Sequence, residues 1–173
     1  MGTTLDSFSP RIPQVGGHYF IIPSLSIGGT IGYEGRGGSH TNPPVGPLQP
    51  ASVPKPDAST FVFNPKVGYV LSLNNLFGFW FRGGLGYYHY GQSSGVDSRN
   101  KFGFNFWFVS LDALFVVTPV QHLGFYAGLQ GDISFTGSHT NANVMGPQVI
   151  ETSNSTSFRD IGLGAGIIGY FDL

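Results

Sequence analysis

The chain reads as an all-β protein, a transmembrane antiparallel up-and-down β-barrel of about eight strands, and three observations predict it. Bulky apolar residues alternate with small or polar ones at a period of two. From Leu123 to Phe135, Leu123, Phe125, Ala127, Leu129, Ile133 and Phe135 fall on one face and Gln130, Asp132 and Ser134 on the other. Charged residues make up only 10% of the chain, whereas a soluble domain carries roughly 25–35% of them on its surface. The apolar face therefore belongs outside, against lipid, and the polar face inside. Connections alternate between tight turns and long polar loops, the asymmetry expected between the two ends of an outer-membrane barrel.

Seven strands are predicted in order. Val15–Ile22 and Leu25–Gly35 flank the turn Pro23-Ser24, Thr60–Leu73 and Phe77–Tyr90 flank Asn74-Asn75, and Lys101–Thr118 and Leu123–Ser138 flank Pro119–His122. Ser157–Phe171 is the last. Asn and Pro supply the backbone angles such turns need, and six of the seven segments reach the about 9–11 residues that cross a bilayer at a tilt. Residues 36–59, 91–100 and 139–156 are polar and rich in Gly, Ser, Asn and Pro, and are expected to be extracellular loops. The first of them carries Pro43, Pro44, Pro47, Pro50, Pro54 and Pro56, which favours extended polyproline-like chain. Residues 1–14 include Pro10 and Pro13, show no alternation and are expected to be irregular.

Two irregularities stand out. Single-chain bacterial barrels have even strand numbers, so an eighth strand is irregular, missing or supplied by a neighbouring chain, and an open edge invites self-association. In Lys101–Thr118, Phe102, Phe104, Phe106 and Phe108 occupy even positions while Val109, Leu111, Ala113, Phe115 and Val117 occupy odd ones. Counted from the turn at Pro119, the odd set from Trp107 spans the membrane. The Phe ladder is then expected to extend above it, or else to follow a bulge near Phe108-Val109.

Composition excludes several classes. The 173 residues suit one domain, 1–173, with no apolar run long enough for a transmembrane helix. A net charge of −1 gives no electrostatic case for nucleic acid. Without cysteine there is no disulfide framework and no thiol chemistry. His18, His40, His89, His122 and His139 lack ligand spacing, so no metal is expected. Paired catalytic carboxylates, a nucleophile elbow and a P-loop are absent, and Gly162-Leu163-Gly164-Ala165-Gly166 reads as strand glycine. No catalytic residue, enzyme activity or cofactor is expected. His89-Tyr90-Gly91-Gln92-Ser93 does put a histidine near serine at an outer strand end, where lipid-deacylating barrels hold a catalytic pair, but with no acidic partner in sight. Met1-Gly2-Thr3-Thr4 has neither the basic nor the apolar part of an export leader, so Met1 is read as an engineered or truncated start.

Assigning faces places Glu34, Lys66, Arg82, Asp112, Asp132 and Asp160 inside, within one or two layers of each other when counted from the turns. Buried charges must pair. Arg82, with five donors in a plane, is the expected hub, and Asn64, Gln130, Ser110, Tyr88 and Tyr126 can complete the network. Such a cluster either fills the lumen or conducts protons or ions. An eight-strand barrel is just wide enough to be filled by side chains, which favours filling. Tyr19, Tyr33, Tyr87, Trp107 and Phe171 fall at interface heights on the lipid side, as a belt of amphipathic rings.

The last segment, Ile161 through Leu163, Ala165 and Ile167 to Tyr170-Phe171, resembles the C-terminal β-signal of outer-membrane proteins, with Asp172-Leu173 following the terminal aromatic as a departure. The stretches Phe63-Asn-Pro-Lys-Val67-Gly-Tyr69, Phe79-Trp-Phe-Arg82-Gly-Gly-Leu85-Gly-Tyr87 and Thr118-Pro119-Val120 resemble small outer-membrane barrels of the OmpX/OmpA type, closest to uncharacterised barrels of myxobacteria and their relatives. The resemblance covers about residues 12–171 and implies architecture more than activity. It implies residence in the outer membrane of a Gram-negative bacterium. Its partners there would be the lipid bilayer, lipopolysaccharide and, through the last strand, the barrel-assembly machinery. The function it supports is a plugged scaffold displaying loops, with a pore, possible as an oligomer, or a lipid-modifying enzyme as alternatives.

Overall fold

The alternation resolves into one meandering antiparallel sheet. A computed structural model describes residues 13–41, 52–93, 100–120, 123–145 and 148–169. In chain order the strands are β1 (Gln14–Ile22), β2 (Leu25–Arg36), β3 (Ser39–Thr41), β4 (Ser52–Pro54), β5 (Asp57–Ser72), β6 (Phe77–Ser93), β7 (Lys101–Val120), β8 (Leu123–Met145), β9 (Gln148–Ser155) and β10 (Arg159–Gly169). Eight of them form one sheet: β1, β2, β5, β6, β7, β8 and β10 lie side by side in that order, and β9 pairs the upper part of β8. Every pairing is antiparallel. Among the described residues no helix is long and apolar enough to cross a membrane.

Local chemistry sets the turns. Between β5 and β6 the Asn74 side chain accepts hydrogen bonds from the backbone N–H of Leu76 and Phe77, both at 2.8 Å, an Asx-type turn that reverses the chain. At the opposite end the expected loops hold further pairing. β3 and β4 make a short ribbon within residues 36–59. Residues 139–156 largely continue the ladder as the β8–β9 hairpin. Every residue of β9 is exposed, so this hairpin rests on backbone hydrogen bonds, and hydrophobic periodicity carries no trace of it.

The Phe ladder of β7 faces inward, in one phase with the rest of the strand. Phe104, Phe106, Phe108, Ser110, Asp112, Leu114 and Val116 are all buried, and the odd residues between them lie outside or half-buried. The irregularity sits on the partner strand instead. Trp107 pairs Thr136 while Phe108 pairs Ser134, so Phe135 is an extra residue in β8. Beyond it the parity of β8 reverses, which brings His139 onto the rings of Phe102 and Phe104, at 4.8 and 4.9 Å.

The interior is therefore layered rather than polar throughout. Val62, Tyr88, Phe104, Phe106 and Phe108 form an apolar cluster towards the loop end, with Phe158 packed against it. Trp80, Leu114 and Val116 form a second one towards the turns. A charged layer lies between them. Phe20 of β1 and Ile168 of β10 both pack on the second cluster. In a flat sheet those strands would lie six spacings apart, roughly 29 Å, so the sheet is strongly curled. Among the described residues β1 and β10 each pair on one side only.

Candidate functional site

Two adjacent rungs of the ladder carry the charged layer. One runs His18, Gly28, Lys66, Gly84, Ser110, Asp132, Asp160 across all seven side-by-side strands, and the other runs Phe20, Ser26, Gly68, Arg82, Asp112, Gln130, Gly162. Glycine stands on either side of Lys66 in the first, at Gly28 and Gly84, and beside Arg82 in the second, at Gly68. That spacing lets Lys66, on β5, reach across β6 to Asp112 on β7, about 10 Å away at two strand spacings. A Cβ at Gly84 would stand 2.8 Å from Lys66 Cγ, in the path of that side chain.

Asp112 is the hub, in place of Arg82. Its Oδ2 accepts from Lys66 Nζ at 2.9 Å, from Arg82 Nε at 2.8 Å and from Arg82 Nη2 at 2.7 Å. All three side chains are at most 9% exposed, so the carboxylate and its two positive partners are largely covered by the chain itself. Three donors on one oxygen are charge-assisted bonds of the strong kind. The Arg82 guanidinium also lies 4.7 Å over the Trp80 ring and 5.7 Å from that of Tyr126. Trp80 is fixed in turn by its Nε1, which donates to Ser26 Oγ at 3.2 Å, and by the edge of His18 at 4.8 Å.

The other residues expected in the network divide. Gln130 stands opposite Asp112, and Asp132 stands between Ser110 and Asp160, so these share the layer. Asn64 is buried two residues from Lys66. Glu34 faces inward but bonds Arg36 near the loop end, apart from the layer. The layer thus holds Lys66 and Arg82 against Asp112, Asp132 and Asp160. Among the described residues no group of three or more potential ligands is placed to hold a metal ion.

A cavity of about 1550 Å³ opens below this layer, lined by Asn74, Asn75 and Thr118 near the turns and by Lys66, Arg82 and Asp112 further in. Val62 and Phe108 line its inner end, where the loop-side aromatic cluster begins. The cavity thus passes the charged layer and ends against the packed loop-side aromatics.

On the outward face, Tyr19, Tyr33 and Trp107 are exposed, and Tyr87 lies against Trp107 with ring centroids 5.0 Å apart. Phe171 is outside the described residues. The structure adds a second aromatic group nearer the turns: Phe79 lies 5.6 Å from Phe115 and 6.2 Å from Phe81, with Tyr69 exposed on the neighbouring strand. Counting alternation down from Trp107 and Tyr87 would have found it. His89 does not meet Ser93; its Nδ1 lies 2.6 Å from Asn105 Oδ1 on β7. No family model, curated protein or solved structure matches this chain.

Proposed function

We propose that this chain is an integral outer-membrane β-barrel whose apolar exterior sits in lipid, whose interior is closed by side chains, and whose loops are displayed at one end as a surface-interaction scaffold. The uncharged outward face carries this reading. Along β1 from Val15 to Ile21, β2 from Leu25 to Tyr33, β5 from Phe63 to Leu71, β6 from Phe79 to Tyr87, β7 from Trp107 to Val117, β8 from Leu123 to Ile133 and β10 from Ile161 to Ile167, no outward position is charged. Tyr33, Val67, Leu85, Leu111, Leu129 and Leu163 are among the large side chains left exposed there. An apolar surface of this extent is unstable in water and suits a lipid solvent. The packed loop-side aromatics support a closed interior. In a planar bilayer the folded protein is expected to be silent, and a variant with Phe104, Phe106 and Phe108 all changed to Ala is expected to conduct. Conductance of the unmodified protein would favour a pore instead, which the cavity on the turn side already half provides.

A further inference from the structure

Just beyond the aromatic belt the outward surface holds a second polar cluster. Gly35, Ser59, Gly91 and Gly103 stand side by side on β2, β5, β6 and β7, and the rung beneath them is Tyr33, Phe61, His89 and Asn105. The small residues leave a groove of about 700 Å³, bordered by Tyr33, His89 and Asn105 and, on the loop side, by Asp57 and Lys101.

The imidazole of His89 is fixed in one orientation. Asn105 Oδ1, an acceptor only, receives the Tyr87 hydroxyl at 3.0 Å and meets His89 Nδ1 at 2.6 Å, a contact that favours the tautomer with its proton on Nδ1 and its lone pair on Nε2. That nitrogen faces Gly91. A Cβ at Gly91 would lie 3.4 Å from His89 Nε2 and 3.9 Å from Ser59 Oγ, so a basic lone pair and a hydroxyl border the same unoccupied position from two strands. A bond between that hydroxyl and the ring would be of the kind that tightens only when substrate is bound.

We propose that Ser59 is a nucleophile, His89 its general base and Asn105 the residue positioning that base, in a site that cleaves acyl esters of membrane glycerolipids. The proposal rests on the bilayer placement above. The Ser59 rung lies one above Tyr33 and two above Tyr87 and Trp107, on the headgroup side of the belt, where the ester groups of glycerolipids border the hydrocarbon. Acyl chains would run down the apolar face past Ile31 and Phe63, with the headgroup beside Lys101. In the first step Ser59 Oγ bonds to the ester carbonyl carbon as its proton passes to His89 Nε2. The bond from that carbon to the glycerol oxygen then breaks, and the oxygen takes the proton from Nε2. Water next attacks the acyl-serine, again losing a proton to Nε2, and the fatty acid leaves as the proton returns to Ser59.

The full chain folded in detergent micelles, treated with a fluorophosphonate probe, tests this. The probe is expected on Ser59, located by peptide mass, and absent from Ser59→Ala. His89→Ala should slow labelling about 100-fold or more. Asn105→Asp, which sets a carboxylate against Nδ1, should move the pH profile of the labelling rate to higher pH. A purely structural Asn105 would not move it. Oleate release from dioleoylphosphatidylcholine vesicles should follow the same order. Heat-modifiable gel migration of each sample reports the folded barrel separately. A heat-modifiable protein that leaves Ser59 unlabelled, or labels it equally fast in His89→Ala, overturns the proposal while leaving the barrel standing.

Discussion

Asp112 matters more than either cation it holds. Removing one partner of a buried ion pair leaves an uncompensated charge and costs about 3–5 kcal/mol, and Asp112→Ala strands both Lys66 and Arg82, whose side chains are 8% and 9% exposed. Lys66→Met leaves the Arg82–Asp112 contact in place and removes a charge together with its desolvation cost, so its effect should stay within about 1.5 kcal/mol. Urea unfolding in micelles should therefore rank Asp112→Ala well below Lys66→Met. Equal losses would mean that Arg82 finds another acceptor. The pair was legible in sequence as two inward residues at similar heights. Which of them is the hub was not, because that depends on lateral register and on the passage left at Gly84.

At the scale of the strand, alternation fixes which face a residue takes and glycine fixes which neighbours can cross it. Gly83 and Gly84 are adjacent on β6 but face opposite ways. A Cβ at Gly83 meets its nearest atom at 3.5 Å, an ordinary contact, whereas at Gly84 it would crowd Lys66 Cγ at 2.8 Å and the backbone of Pro65. Gly83→Ala should be tolerated, and Gly84→Ala should cost about 1–3 kcal/mol through overpacking, read by the same unfolding assay. The seven predicted strands match the observed ones closely, since each has one apolar face and a turn rich in Asn or Pro. Periodicity failed where the information lay elsewhere. The change from Phe106 and Phe108 to Val109 and Leu111 looked like a phase shift because both faces of β7 are apolar there, while the real irregularity is the extra Phe135 of β8. The two strands must be aligned to see it. The Ser59, His89 and Asn105 grouping was hidden for the same reason: its members come from three strands, and only their register brings them together.

For the whole molecule, direction constrains closure. Six antiparallel steps separate β1 from β10, so these edge strands run the same way. If all copies share one membrane orientation, each free edge would meet a free edge of a second copy as a parallel pair, the less stable arrangement. Self-association through these edges is therefore disfavoured, and a strand running the opposite way is what would complete the ladder. Cross-linking in micelles should give mostly monomer. The central claim is that the apolar outward face lies in lipid. The chain has two tryptophans, one on each side of the wall: Trp107 is 49% exposed on the outward face and Trp80 is 4% exposed in the interior. Fluorescence quenching by brominated phospholipids, measured on Trp80→Phe and Trp107→Phe variants in vesicles, separates them. Strong quenching of Trp107 with little of Trp80 is the result this account predicts, and a Trp107 quenched by aqueous iodide but untouched by brominated lipid would contradict it.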